Sequence, residues 1–171
     1  MRYRLWQFWQ MARARPLSAE AYGAVTAVLT EPQMALFNRF NFTDQWHSYR
    51  VMCALQAAGH DQPDLLTAAL LHDIGKTKLP ISVWERSWIV LGQMFLPGRA
   101  AAWGQAEAQG WRRPFVVKAQ HPAWGAEMAE QVGCTPLTIS LIRRHQDSLA
   151  GRPLTEEDEL LQHLQWADDS N

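Results

Sequence analysis

Apolar residues recur along this chain at spacings of three and four, and most such runs are bounded by residues that start or stop helices. Ser18 caps a first run, Ala21, Val25, Val28 and Leu29, with Leu17 placed to staple onto Tyr22. Thr30 and Gln33 stand in capping-box register around Pro32, ahead of Met34, Leu36, Phe37 and Phe40. The next helix is predicted from Thr43 or Asp44 to about Ala58, with His47, Val51, Ala54, Leu55 and Ala58 on its inner face and Gly59 as its stop. A helix from near Asp61 carries Leu65, Leu66, Ala68, Ala69 and Leu70, then His72 and Asp73, and Ile74-Gly75 ends it.

Beyond Pro80 the pattern changes. Ile81, Val83, Trp84, Trp88, Ile89, Val90, Leu91, Met94, Phe95 and Leu96 extend round more than one face, which predicts a helix held between the bundle and a lid or a partner. Ala100 to Gln109 reads as a weaker helix ended by Gly110, and residues 111–114 as a connector. His121-Pro122 reads as a helix start, with proline at a tolerated first-turn position and Gly133 as the stop. Thr135-Pro136 opens a run that closes on Ile142 and His145, and 151–153 reads as a turn. Thr155 with acids at 156–158 opens the last helix, on whose stripe Asp168 falls four residues after Leu164 while Asp169 faces away. No alternating strand and no repeat interrupts this all-α pattern. It predicts a single-domain helical bundle over 1–171, with N-terminal helices over 1–42 and a core over 43–171 carrying an apolar insertion at about 80–112.

Composition alters this picture little. A net charge of −1 over 171 residues gives no general attraction to nucleic acid. Cys53 and Cys134 form no metal-type pair and no disulfide framework, which points to a reducing, cytoplasmic setting. No stretch is long and apolar enough to span a bilayer, and the first residues do not read as a signal peptide. Residues 2–15 hold Arg2, Arg4, Arg13 and Arg15 without one acid, interleaved with Trp6, Phe8 and Trp9. Such a helix suits either a membrane surface or packing on the bundle, and packing is the expectation. Nine tryptophans point to a pocket or contact surface, such as a homodimer contact through the tryptophan-rich segment, with core packing as the alternative.

His47, His72, Asp73, His145 and Asp168 lie on four different predicted helices at core-facing phase, and His121 opens a fifth. Burying so many imidazoles and carboxylates without a shared charge partner would consume much of a net stability of roughly 5–15 kcal/mol. One or two divalent metals would satisfy them together. Mixed imidazole and carboxylate ligation suits manganese, iron, cobalt, nickel or zinc.

The order of a histidine, then Leu71-His72-Asp73-Ile74-Gly75-Lys76, then a distal Ala167-Asp168, resembles the HD superfamily of metal-dependent phosphohydrolases. The resemblance runs from about Asp44 to Asp169. It implies a helical bundle with His47, His72, Asp73 and Asp168 around a first metal, and His121 and His145 at a second that Asp73 bridges. Residues 121–168 are also similar to the cyclic-dinucleotide branch named HD-GYP. Gln146 stands where that branch has a second histidine, and Arg152-Pro153 where Gly-Tyr-Pro would be, which argues against a cyclic dinucleotide.

The implied activity is hydrolysis of a small phosphate monoester or diester, with a nucleotide as the expected substrate class, by attack of metal-bound hydroxide. Asp73 and Lys76 are the candidate catalytic residues. Lys76 is placed either to neutralise a phosphate or to cap the helix dipole, and Arg50 and Arg144 are further phosphate-contact candidates. The alternatives are a di-iron oxygenase built on the same ligands, or a non-enzymatic binding module.

Overall fold

The computed structural model describes residues 15–151 and 154–171. The basic, aromatic stretch before Arg15 and the Arg152-Pro153 dipeptide lie outside the described residues. The described residues form nine α-helices and two 3-10 turns and contain no strand. The helices are α1 (Ala19–Val28), α2 (Glu31–Phe37), α3 (Phe42–Ala57), α4 (Pro63–Leu71), α5 (Val83–Phe95), α6 (Pro97–Gly104), α7 (Arg113–Gln131), α8 (Pro136–Arg144) and α9 (Glu156–Asp169). The 3-10 turns are Ile74–Thr77 and Gly110–Arg112.

Local chemistry places most helix ends. Ser18, Asn41, Thr135 and Thr155 each accept a hydrogen bond from a first-turn amide, and Thr30–Gln33 and Thr155–Asp158 close capping boxes. Gly59 and Gly133 leave α3 and α7 with φ of 83° and 74°, a conformation glycine adopts without steric cost. Helix α3 starts at Phe42, slightly ahead of the expected Thr43, because Asn41 is the cap.

Helix α4 is the axis of the molecule. Leu65, Leu66, Ala68, Ala69, Leu70 and Leu71 are all buried, so a helix of nine residues is apolar around its whole circumference. It packs against α3, α8, α9 and α1, and its C-terminus delivers His72 and Asp73 to the middle of the bundle. Phe37 and Phe40 meet edge to face at 5.7 Å inside this core, so they are packing residues and not pocket walls.

Three expectations are corrected. His121 does not open a helix: α7 begins at Arg113, with Pro114 in its first turn, and runs through His121 and Pro122 without a break. Residues 113–114 are thus the start of a helix, not part of a connector. Helix α6 ends at Gly104, short of Gly110, where the chain passes so close to α7 that a Cβ on Gly104 would lie 2.7 Å from that of Ala119. Among the described residues, the body of the protein covers α5 on one side only. Ile89 and Gly92 face the body of the protein, while Trp84, Trp88, Met94 and Phe95 are largely in solvent.

Gly75 was expected as a helix stop, and its role is different. A Cβ there would sit 2.0 Å from the His121 carbonyl oxygen and 2.7 Å from the Gly125 amide nitrogen. Gly125 faces it across the contact, 3.2 Å from the Gly75 nitrogen by the same construction. Two backbones therefore touch where α7 crosses the turn after α4, which brings His121 alongside Asp73.

Candidate metal centre

Two groups of three side chains converge at the end of α4. His47 from α3, His72 from the end of α4 and Asp168 from α9 form the first; Asp73, His121 from α7 and His145 from the end of α8 form the second. Within each group the ligand atoms lie within 4.8 Å of one another. Asp168 Oδ1 is 2.9 Å from His47 Nε2 and 3.5 Å from His72 Nε2. Asp73 reaches both groups: Oδ2 is 3.6 Å from His72 Nε2, and Oδ1 is 3.2 Å from His121 Nε2 and 3.7 Å from His145 Nε2. All six residues named from the sequence are brought together.

Backbone carbonyls fix which nitrogen faces the centre. His72 Nδ1 lies 2.9 Å from the Ala69 carbonyl and His145 Nδ1 2.7 Å from that of Ile142. His121 Nδ1 lies 3.0 Å from the carbonyls of both Val117 and Lys118. A carbonyl only accepts, so each Nδ1 carries the hydrogen and each Nε2 presents a lone pair to the centre. Pro122 contributes to this arrangement. It has no N–H to satisfy the Lys118 carbonyl four residues back, and the His121 ring takes that carbonyl instead.

The result is a cluster of acceptors without enough donors. His121 Nε2 and His145 Nε2 face each other at 3.2 Å, and His72 Nε2 is fully buried with no hydrogen-bond partner. Neighbouring lone pairs about 3 Å apart suit ligands each roughly 2.1 Å from a shared divalent cation. The donor set thus fits one or two such ions.

A family model of the HD domain matches residues 46–169, which takes in all six residues. The chain belongs to the HD-domain family. No curated protein and no solved structure matches it. HD domains bind divalent metals and are in general metal-dependent hydrolases, and the matched stretch contains the adjacent pair His72-Asp73.

Charges around this HD-domain centre follow from burial and pairing. Burial alone would raise the Asp73 carboxyl, but the Lys76 ammonium and the rings of His72 and His121 hold it well below the ordinary range. Asp168 is likewise held low against burial by its bond to His47 and the nearby His72 ring. Burial, reinforced by His72, pushes His145 down to about 3, and burial lowers His121 as well. His72 is raised despite its burial, by the negative charges of Asp73 and Asp168 beside it.

The substrate-contact candidates separate. Lys76 pairs directly with Asp73 Oδ2 and remains about one-third exposed at the rim of the centre. Arg50 is exposed one turn past His47. Arg144 is committed elsewhere: its guanidinium binds Glu157 and the buried Asp158 and lies 3.5 Å from Asp147, which ties α8 to the start of α9. Its charge is already paired within the scaffold.

Two residues at the site were missed. Gln146 Nε2 lies 3.2 Å from His121 Nε2, while its Oε1 accepts from Lys118 Nζ at 3.3 Å. The glutamine that replaces a branch histidine therefore still touches the centre. Lys118 lies one helical turn before His121, a spacing that would have pointed to it had α7 been extended back through Pro122. Its ammonium is disfavoured by partial burial and then by the nearby charge of Lys76.

Proposed function

We propose that this HD domain hydrolyses a phosphate monoester or diester, with a nucleotide as the substrate class. The observation that carries the reading is the pair of trios, with Asp73 reaching from one to the other and a fully buried His72 Nε2 that has no hydrogen-bond partner. His47, His72 and Asp168 would hold one divalent ion and His121 and His145 a second, with Asp73 contributing to both. Bound there, such ions supply hydroxide near neutral pH and neutralise phosphate oxygens.

The chain's own residues supply the rest. Three Nδ1–carbonyl contacts hold the rings in the ligating tautomer before any ion arrives, so little reorganisation accompanies binding. Lys76, at the rim, is placed to neutralise a phosphate or stabilise a leaving group. Gln146 contacts His121 and in turn holds Lys118. Lys76 and Lys118 repel each other, and an anionic substrate between them relieves that repulsion. Arg50 remains the candidate for a more distant phosphate.

The test is hydrolysis by purified protein loaded with manganese, iron, cobalt, nickel or zinc against a panel of phosphoesters and nucleotides. Turnover should require the metal and fall by about 10²-fold or more in Asp73→Ala. An intact fold that hydrolyses nothing with any metal would overturn the reading.

A further inference from the structure

We propose that the exposed face of α5, together with Trp111, docks on an anionic membrane surface. Trp84, Trp88, Leu91 and Phe95 recur at spacings of four, three and four, so they form a single stripe along the helix. They are 81, 64, 47 and 67% exposed, with Met94 at 71% beside them. The opposite side of α5 is anchored. Ile89 is buried, Gly92 lies where a Cβ would meet the Phe115 ring at 2.5 Å, Glu85 pairs with Arg113 at 2.6 Å and Arg86 with Asp44 at 3.7 Å. The apolar stripe is therefore presented outward by a fixed helix.

Trp111, 61% exposed, extends the surface. It packs edge-on against Trp103, which packs against the same Phe115 that lies on Gly92. At roughly 150–250 Å² per ring, the four exposed rings alone present on the order of 500 Å². That is near the upper end of the roughly 300–600 Å² found for the largest patch on ordinary monomers.

Charge decides the occupant. Residues 81–112 hold two acids, and Glu85 is consumed by Arg113 and Ser82, leaving Glu107. Arg99 follows the stripe in the first turn of α6, and Arg112 lies 5.2 Å over the Trp111 ring. The tract of four arginines and no acid over 2–15 joins the described fold at Arg15, whose carbonyl accepts from Trp46 on α3 at 3.0 Å. Tryptophan, phenylalanine and leucine flanked by arginine suit the boundary of an anionic bilayer. Two copies meeting face to face would instead bring four arginines into one apolar interface with no free acid on the stripe to pair them.

The test is sedimentation with vesicles of phosphatidylcholine, with and without phosphatidylglycerol, at low and high salt. Wild-type protein should bind the anionic vesicles, release as salt rises, and show tryptophan quenching by brominated lipid. Trp84→Gln/Trp88→Gln, folded by circular dichroism, should lose about tenfold or more in vesicle affinity. Arg99→Gln/Arg112→Gln should bind more weakly at low salt only. Three outcomes overturn the proposal: no binding to anionic vesicles, binding unchanged in the tryptophan variant, or a solution dimer that the tryptophan variant dissociates.

Discussion

At the scale of single residues, the centre depends on lone pairs that are aimed before use. Asp73 is the shared carboxylate, so Asp73→Ala should remove metal at both trios, read as metal content per chain after purification without chelator. Asp169→Ala removes an exposed side chain and should change stability by no more than about 0.5 kcal/mol. Equal losses from both would misplace the terminal ligand. Protonation gives a second check. His145 titrates near 6.5 when unfolded but only at about 3 when folded, so below 6.5 the unfolded chain takes up a proton that the folded one refuses. Its contribution is complete above pH 6.5 and is lost as pH falls toward 3. The lowered His121, and at more acid pH the lowered Asp73 and Asp168, act in the same sense, while the raised His72 opposes them. The metal-free protein should therefore show a lower urea midpoint at about pH 5 than at about pH 7.5. Metal affinity should fall over the same interval, because protons compete for the same Nε2 atoms.

At the scale of elements, the contact between Gly75 and α7 is the tightest constraint. Gly75→Ala would drive a methyl into the His121 carbonyl and the Gly125 amide, both backbone, so no side chain can swing aside. The expected loss is about 3 kcal/mol or more in denaturant unfolding, with weaker metal binding at the second trio. Arg144→Ala should cost about 2 kcal/mol by leaving the buried Asp158 short of its cation, while changing substrate affinity little. Caps were legible in the sequence because they are local: Ser18, Thr30, Thr135 and Thr155 each act within one turn. So was the inward phase of His47, His72, Asp73, His145 and Asp168, since helical periodicity alone sets it. Gly75 was not, because a stop signal and a close crossing use the same residue. Pro122 misled for a related reason. A proline normally marks a first turn, and only the tertiary placement of the His121 ring accounts for the carbonyl it frees inside α7. Gln146 and Lys118 were missed because their roles arise between α7 and α8, not within either.

At the scale of the whole molecule, α4 and its neighbours form an apolar core that does not include the ligands. Leu65, Leu70, Leu71, Leu141, Leu161 and Leu164 are fully buried without any reference to the ions. The fold should therefore survive chelation, in contrast to small domains that fold only on metal. Removing the metal should lower the melting temperature without abolishing the cooperative transition, and adding it back should raise that temperature with concentration as mass action requires. Scanning calorimetry of the chelated and reloaded protein checks this.

The bare crossing of the turn after α4 and α7 carries one more consequence. The interval between His121 and Asp73 is inherited from two main chains lying flush, with no rotamer available to loosen it. Substitutions in the outer walls can reshape what the cleft admits while that interval stays as it is, so selectivity and ligation geometry are free to change independently.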